Sequence, residues 1–172
     1  MDNDENLKQQ LDAYLAENFL EEDEKSKRPY IVSFGSGHRE LSEVNLEEFL
    51  EKNKGETFAE MLIQLIKDGG KKYSAVYNNA EVSRQVFSKI RKNAQYQPSK
   101  DTAIAFALAL ELDLEKAKDL IAAAGYSLTK SKRDLIITFF FENEIFDTDL
   151  LNRYLHEYNQ RVLFQREKFW SR

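Results

Sequence analysis

Residues 72–93 decide the fold: Lys72-Tyr73-Ser74-Ala75-Val76-Tyr77-Asn78-Asn79-Ala80-Glu81-Val82-Ser83-Arg84-Gln85-Val86-Phe87-Ser88-Lys89-Ile90-Arg91-Lys92-Asn93. The pattern asks for a short helix that ends sharply, turns, and starts a second helix at a steep angle. Val82 is the apolar residue of the turn and plugs the gap between the helices. Ser83 caps the second helix, because its hydroxyl accepts one of the backbone N–H groups that a helix start leaves unpaired. Val86, Phe87 and Ile90 then recur at helical spacing and form an inward stripe. Arg84, Gln85, Ser88 and Lys89 are left on the outer face. That face offers donors for guanine, an amide for adenine and charges for phosphate.

Charge supports the same stretch. The whole chain carries a formal −5, but unevenly. Residues 1–60 hold 16 acids against 7 bases, a net of −9, whereas residues 71–100 hold seven bases against Glu81 alone, a net of +6. The bases Lys71, Lys72, Arg91, Lys92 and Lys100 cluster about the second helix, so a phosphate role is expected for them.

Working outward, Thr57 and Glu60 stand at capping-box spacing before Met61, Leu62, Leu65 and Ile66, and Gly69-Gly70 stops that helix. A short helix runs from Lys71 to Asn78 and the next from Ser83 to Lys92. Pro98-Ser99 opens a fourth through Ile104, Phe106, Leu108 and Leu110. Asp113 caps a fifth, which ends at Gly125. Two more are expected over Lys132–Asn143 and Asp147–Arg161. Before all of these, Leu7, Leu11, Tyr14, Leu15 and Phe19 mark an amphipathic helix over residues 5–20. Residues 21–29 read as a charged linker, Tyr30–Phe34 as one short strand closed by Gly35-Ser36-Gly37, and Asn45–Gly55 as a short helix.

The central segment resembles the helix-turn-helix of lambda-repressor-like, Xre-type regulators. Val82–Asn93 looks like their turn and recognition helix, Pro98–Ile104 like the start of their fourth helix, and Leu114–Leu120 like their fifth. The resemblance covers roughly residues 57–125. It implies that Arg84, Gln85, Ser88 and Lys89 meet base edges or nearby phosphates, with Ser83, Lys72, Arg91, Lys92 and Asn93 around them. Two positions depart from the family pattern. Tyr77 stands where a small residue is favoured at the helix crossing. Glu81 stands where glycine is favoured, because the turn needs an unusual backbone angle.

Other chemistries find no constellation. The chain has no cysteine, which excludes disulfides, thiolate-ligated zinc and a thiol nucleophile. His38 and His156 are too few and too far apart for a metal site, so neither metal nor cofactor is expected. Gly35-Ser36-Gly37 lacks the third glycine and the strand–helix context of a dinucleotide loop. No grouping suggests an enzyme. The Met-Asp-Asn-Asp-Glu start has neither the basic nor the apolar region of a secretory signal, and the longest apolar run, Ala103–Leu110, is too short to span a bilayer, so a cytoplasmic protein is expected.

The expected protein is therefore mainly α-helical, with an acidic N-terminal module (1–55), a five-helix helix-turn-helix domain (56–126) and a C-terminal helical extension (127–172). Its expected partner is duplex DNA, as for a transcription regulator. The alternative is an interaction or antitoxin-like adaptor whose acidic residues 1–55 bind a protein. Phe139, Phe140 and Phe141 are consecutive, and successive helix positions point about 100° apart. At least one ring is thus expected to face a second surface, either the N-terminal module or another copy of the chain, and a homodimer is the expected assembly.

Overall fold

A computed structural model describes residues 3–19, 46–52 and 54–164, and they are mainly helical, with no strand among them. The helices are α1 (Asn3–Asn18), α2 (Leu46–Lys52), α3 (Phe58–Asp68), α4 (Tyr73–Asn79), α5 (Arg84–Lys92), α6 (Lys100–Ala109), α7 (Leu114–Ala123), α8 (Lys132–Glu142) and α9 (Thr148–Glu157). The linker at 21–29, the strand at Tyr30–Phe34, the Gly35–Gly37 turn and His38 lie outside the described residues. No described helix is long and apolar enough to cross a membrane.

Polar caps set the helix starts. Thr57, Ser83, Ser99, Asp113, Ser131 and Asp147 each accept a backbone N–H from three residues on, and Thr57 with Glu60 completes the capping box. Several helix ends share one device as well. Glu81, Glu111 and Glu144 adopt φ of 55°, 56° and 54°, in the left-handed region. The next residue's N–H then reaches back five positions, Val82 to the Tyr77 carbonyl at 2.9 Å and Leu112 to the Ala107 carbonyl at 3.1 Å. The last helix stops before the expected Arg161, because Asn159 takes the same conformation (φ 56°) and the Gln160 N–H bonds the Leu155 carbonyl.

At the centre lies α6, buried without a break from Ala103 to Leu110. Its four alanines leave room for α4 and α7 to pack close. Phe106 meets Phe58 of α3 and Phe87 of α5, with ring centroids 6.2 and 6.1 Å away. A second core forms on α8. Phe139, Phe140 and Phe141 are all buried, and each ring finds a different cover: Tyr14 of α1 for Phe139 (5.3 Å), Tyr154 of α9 for Phe140 (5.8 Å), Phe146 of the following turn for Phe141 (6.5 Å).

That arrangement answers one expectation and changes another. The second surface that one of the three rings was expected to reach is the N-terminal helix α1, where Tyr14 covers Phe139. The first helix also leaves the 1–55 module: residues 1–19 and 56–172 form one compact unit, and residues 20–55 the other. The cause is a seam on one face of α1. Leu11 and Leu15 are buried in the core. Interleaved with them at helical spacing, Asp4 accepts from Arg153 (2.8 Å) and from the Tyr154 hydroxyl (2.9 Å), Lys8 pairs with Glu157 (3.1 Å), and Asp12 accepts from Tyr158. Burial first, then the Asp4 carboxylate, push the Tyr154 hydroxyl up to about 12. Within the smaller unit, α2 carries a Glu48–Lys52 ion pair (2.6 Å), and Leu50 is 59% exposed.

Residues 56–126 and the C-terminal helices are likewise locked together. Lys100, the first residue of α6, donates to both oxygens of Asp134 in α8 (2.9 and 2.7 Å), and Thr129 adds bonds from its N–H and its hydroxyl (2.8 and 2.7 Å). Asp134 is only 3% exposed. Burial alone would raise its carboxyl, but Lys100 and Thr129 outweigh that and hold it below the ordinary 3.8. Beside it Asp101 receives Arg133 (2.8 Å) and Arg161 (2.6 Å).

Candidate nucleic-acid interface

The corner between α4 and α5 is built from Ala80, Glu81, Val82 and Ser83. Left-handed Glu81 reverses the chain, Val82 turns inward to become buried, and the Ser83 hydroxyl accepts the Val86 N–H at 3.2 Å. With its start fixed, α5 buries Phe87 and Ile90, while Val86 packs half-buried against the core. The Phe87 ring lies between Tyr73 and Tyr77 of α4, at centroid distances of 5.6 and 5.3 Å. Tyr77, the departure from the family pattern, thus fills the crossing with ring-on-ring contact. These contacts hold α5 by its inner side and fix which side chains face out.

Outside stand Arg84, Gln85 and Lys89, all exposed, with Ser88 half-buried between them. Lys92 and Asn93 continue the exposed surface at the far end. Asn93 also serves structure: its N–H donates to the Lys89 carbonyl, and its side-chain oxygen accepts from the Gln95 N–H at 3.0 Å. Arg91 is exposed too, with its guanidinium 4.8 Å from the centre of the Tyr73 ring. Ser83 is committed to its cap. Lys72 is exposed at the start of α4.

Two of the clustered bases go elsewhere. Lys100 holds the buried Asp134, and Lys71 donates to the Ala109 carbonyl (3.3 Å) and to Glu111 (3.1 Å). Both therefore serve the fold, and the exposed charge reduces to Lys72, Arg84, Lys89, Arg91 and Lys92. Among the described residues no salt bridge engages any of these five. In a chain of net −5 these five bases gather on one exposed face.

Sequence reasoning did not mark Lys67. It lines a groove of about 600 Å³ with Lys71, Lys72, Tyr73, Tyr77 and Arg84, where the end of α3 meets the starts of α4 and α5. Lys67 lies outside the basic run, on the polar side of an amphipathic helix, so only the fold reveals its company. No group of histidine, aspartate or glutamate suited to a metal ion occurs among the described residues. Comparison with protein-family models, with curated proteins and with solved structures finds no match.

Proposed function

We propose that this chain is a duplex-DNA-binding regulator of the lambda-repressor-like kind, in which α5 enters the major groove. One observation carries the reading. Arg84, Gln85 and Lys89 are exposed and, among the described residues, outside every salt bridge, on a helix whose opposite side is locked by Val82, Phe87 and Ile90. A helix held that way presents a fixed set of donors, and the major groove is wide enough to admit it. Arg84 and Gln85 supply the two side-chain types best matched to guanine and adenine edges. Lys72, Arg91 and Lys92 flank them as phosphate contacts, which position the protein without reading sequence. The activity is binding, not catalysis.

The test is selection of bound sequences from random duplex DNA by the full chain, followed by Arg84→Ala and Gln85→Ala. Each substitution should cost roughly 1–3 kcal/mol on the preferred sequence and relax its specificity. Lys92→Ala should weaken binding to all sequences alike and flatten its salt dependence. Absence of duplex binding even in low salt would sink the reading and favour an interaction protein, with residues 20–55 as the segment to pursue.

A further inference from the structure

From α3 to α9 six helices begin on a serine, threonine or aspartate whose side chain closes the first turn. Only α4 in that series does not. Its cap residue is Lys72, with no side-chain cap bond and no acidic residue in the first turn. A lysine there forgoes the cap and sets positive charge at the positive end of the helix. The exposed Lys72 side chain is thereby left to the surface beside it.

Lys72 borders the groove of about 600 Å³, together with Lys67, Lys71 and Arg84 and the half-buried rings of Tyr73 and Tyr77. No carboxylate is among the lining residues. Lys71 shares its charge with Glu111, and no described salt bridge engages Lys67, Lys72 or Arg84. The groove is broadly open to solvent, so it would hold a ligand by charge rather than by enclosure.

We propose that this groove binds a run of linked phosphoryl groups, as in the triphosphate of a nucleotide. Phosphoryl oxygens accept charge-assisted hydrogen bonds from ammonium and guanidinium groups. A linked chain of them brings several negative charges into one hollow and so answers Lys67, Lys72 and Arg84 together, which a single carboxylate cannot. Tyr77 gives a base an aromatic surface beside that chain, since the Tyr73 ring is already met by Phe87 and Arg91. Binding itself is independent of the duplex reading. Only a corollary rests on it: Lys72 and Arg84 serve both ligands, so polyphosphate and duplex exclude each other.

The full chain is titrated by calorimetry, at constant ionic strength, with tripolyphosphate, with adenosine triphosphate and with sulfate as a control for charge alone. Tripolyphosphate should fill one saturable site, weakened roughly tenfold by Lys72→Ser and further by Lys67→Ala with Lys72→Ser, since each change removes one charge-assisted contact. Serine restores a cap to α4, so these variants fold, and a thermal melt verifies it. Tighter binding of the nucleotide than of tripolyphosphate assigns a nucleotide, with its base on Tyr77. Equal affinity assigns the phosphate chain alone. The proposal is overturned if neither anion saturates, if sulfate binds as well, or if both variants bind undiminished. A short duplex separates the two readings. Duplex without tripolyphosphate binding removes the groove and keeps the regulator; the reverse removes the regulator and keeps the groove.

Discussion

Two pairs of helices in this molecule turn the same corner. Between α4 and α5 the chain runs through left-handed Glu81, buried Val82 and capping Ser83; between α6 and α7 it runs through left-handed Glu111, buried Leu112 and capping Asp113. The geometry matches and the outer chemistry does not. On α7 the surface charges neutralise each other, Asp113 with Lys116 at 3.1 Å and Glu115 with Lys118 at 2.8 Å. Among the described residues no salt bridge engages the cations of α5. The first helix of one pair starts on capping Ser99, that of the other on Lys72. Backbone architecture is thus common to both corners, and what sets one apart is the exposed positive charge of its second helix. Glu81 in a glycine position is not a peculiarity of that face either, because Glu111 and Glu144 bear the same strain.

The sharpest way to break the comparison is to empty the inner side of α5. Phe87→Ala removes a ring that touches Tyr73, Tyr77 and Phe106, and should cost about 3–5 kcal/mol in chemical unfolding. An unchanged stability would mean that α5 is not held by this side. Next comes the clamp on the second pair. Asp134→Asn leaves the Lys100 ammonium without its counter-charge and should cost about 3 kcal/mol. The same bond has a pH signature. A carboxyl held below 3.8 in the folded state contributes its full stability above that value and loses it as the pH falls below. Wild type should therefore lose stability on acidification more steeply than Asp134→Asn, and parallel acid curves would refute the assignment.

The smallest effect sharpens the comparison most. Lys72→Ser makes the start of α4 like that of α6, and should raise stability by about 1 kcal/mol while weakening duplex binding. Ser99→Ala should lower stability by a similar amount and leave binding alone. If Lys72→Ser moves neither quantity, the two corners do not differ as described.

Much of the fold was legible because its signals are local. Thr57, Ser83, Ser99 and Asp113 announce helix starts within three residues of themselves, and the spacing of Phe87 and Ile90 marks the inner side of α5. What escaped depends on distant chain. Lys71 and Lys100 look like free cations in sequence, yet their carboxylates stand 40 and 34 positions away, at Glu111 and Asp134. The three consecutive phenylalanines do point in different directions as expected. They need no second copy because α8 is wrapped on each of those sides by its own chain. The assignment of α1 to the 1–55 module failed for the same reason: an acidic composition says nothing about the helix that Leu11 and Leu15 will meet.

The seam between α1 and α9 also carries a consequence for the order of folding. Its bonds join residues 146 to 150 positions apart, Asp4 to Tyr154 and Asp12 to Tyr158 among them. Closing so large a loop costs entropy before any contact rewards it, whereas the corners at Glu81 and Glu111 close within a few residues. The seam should form after the rate-limiting step and open early. Substituting Tyr158→Phe should then speed unfolding while leaving the folding rate nearly unchanged, as stopped-flow measurement of both limbs would show. A slowed folding limb would instead place the two ends of the chain together at the outset, with the intervening helices condensing between them.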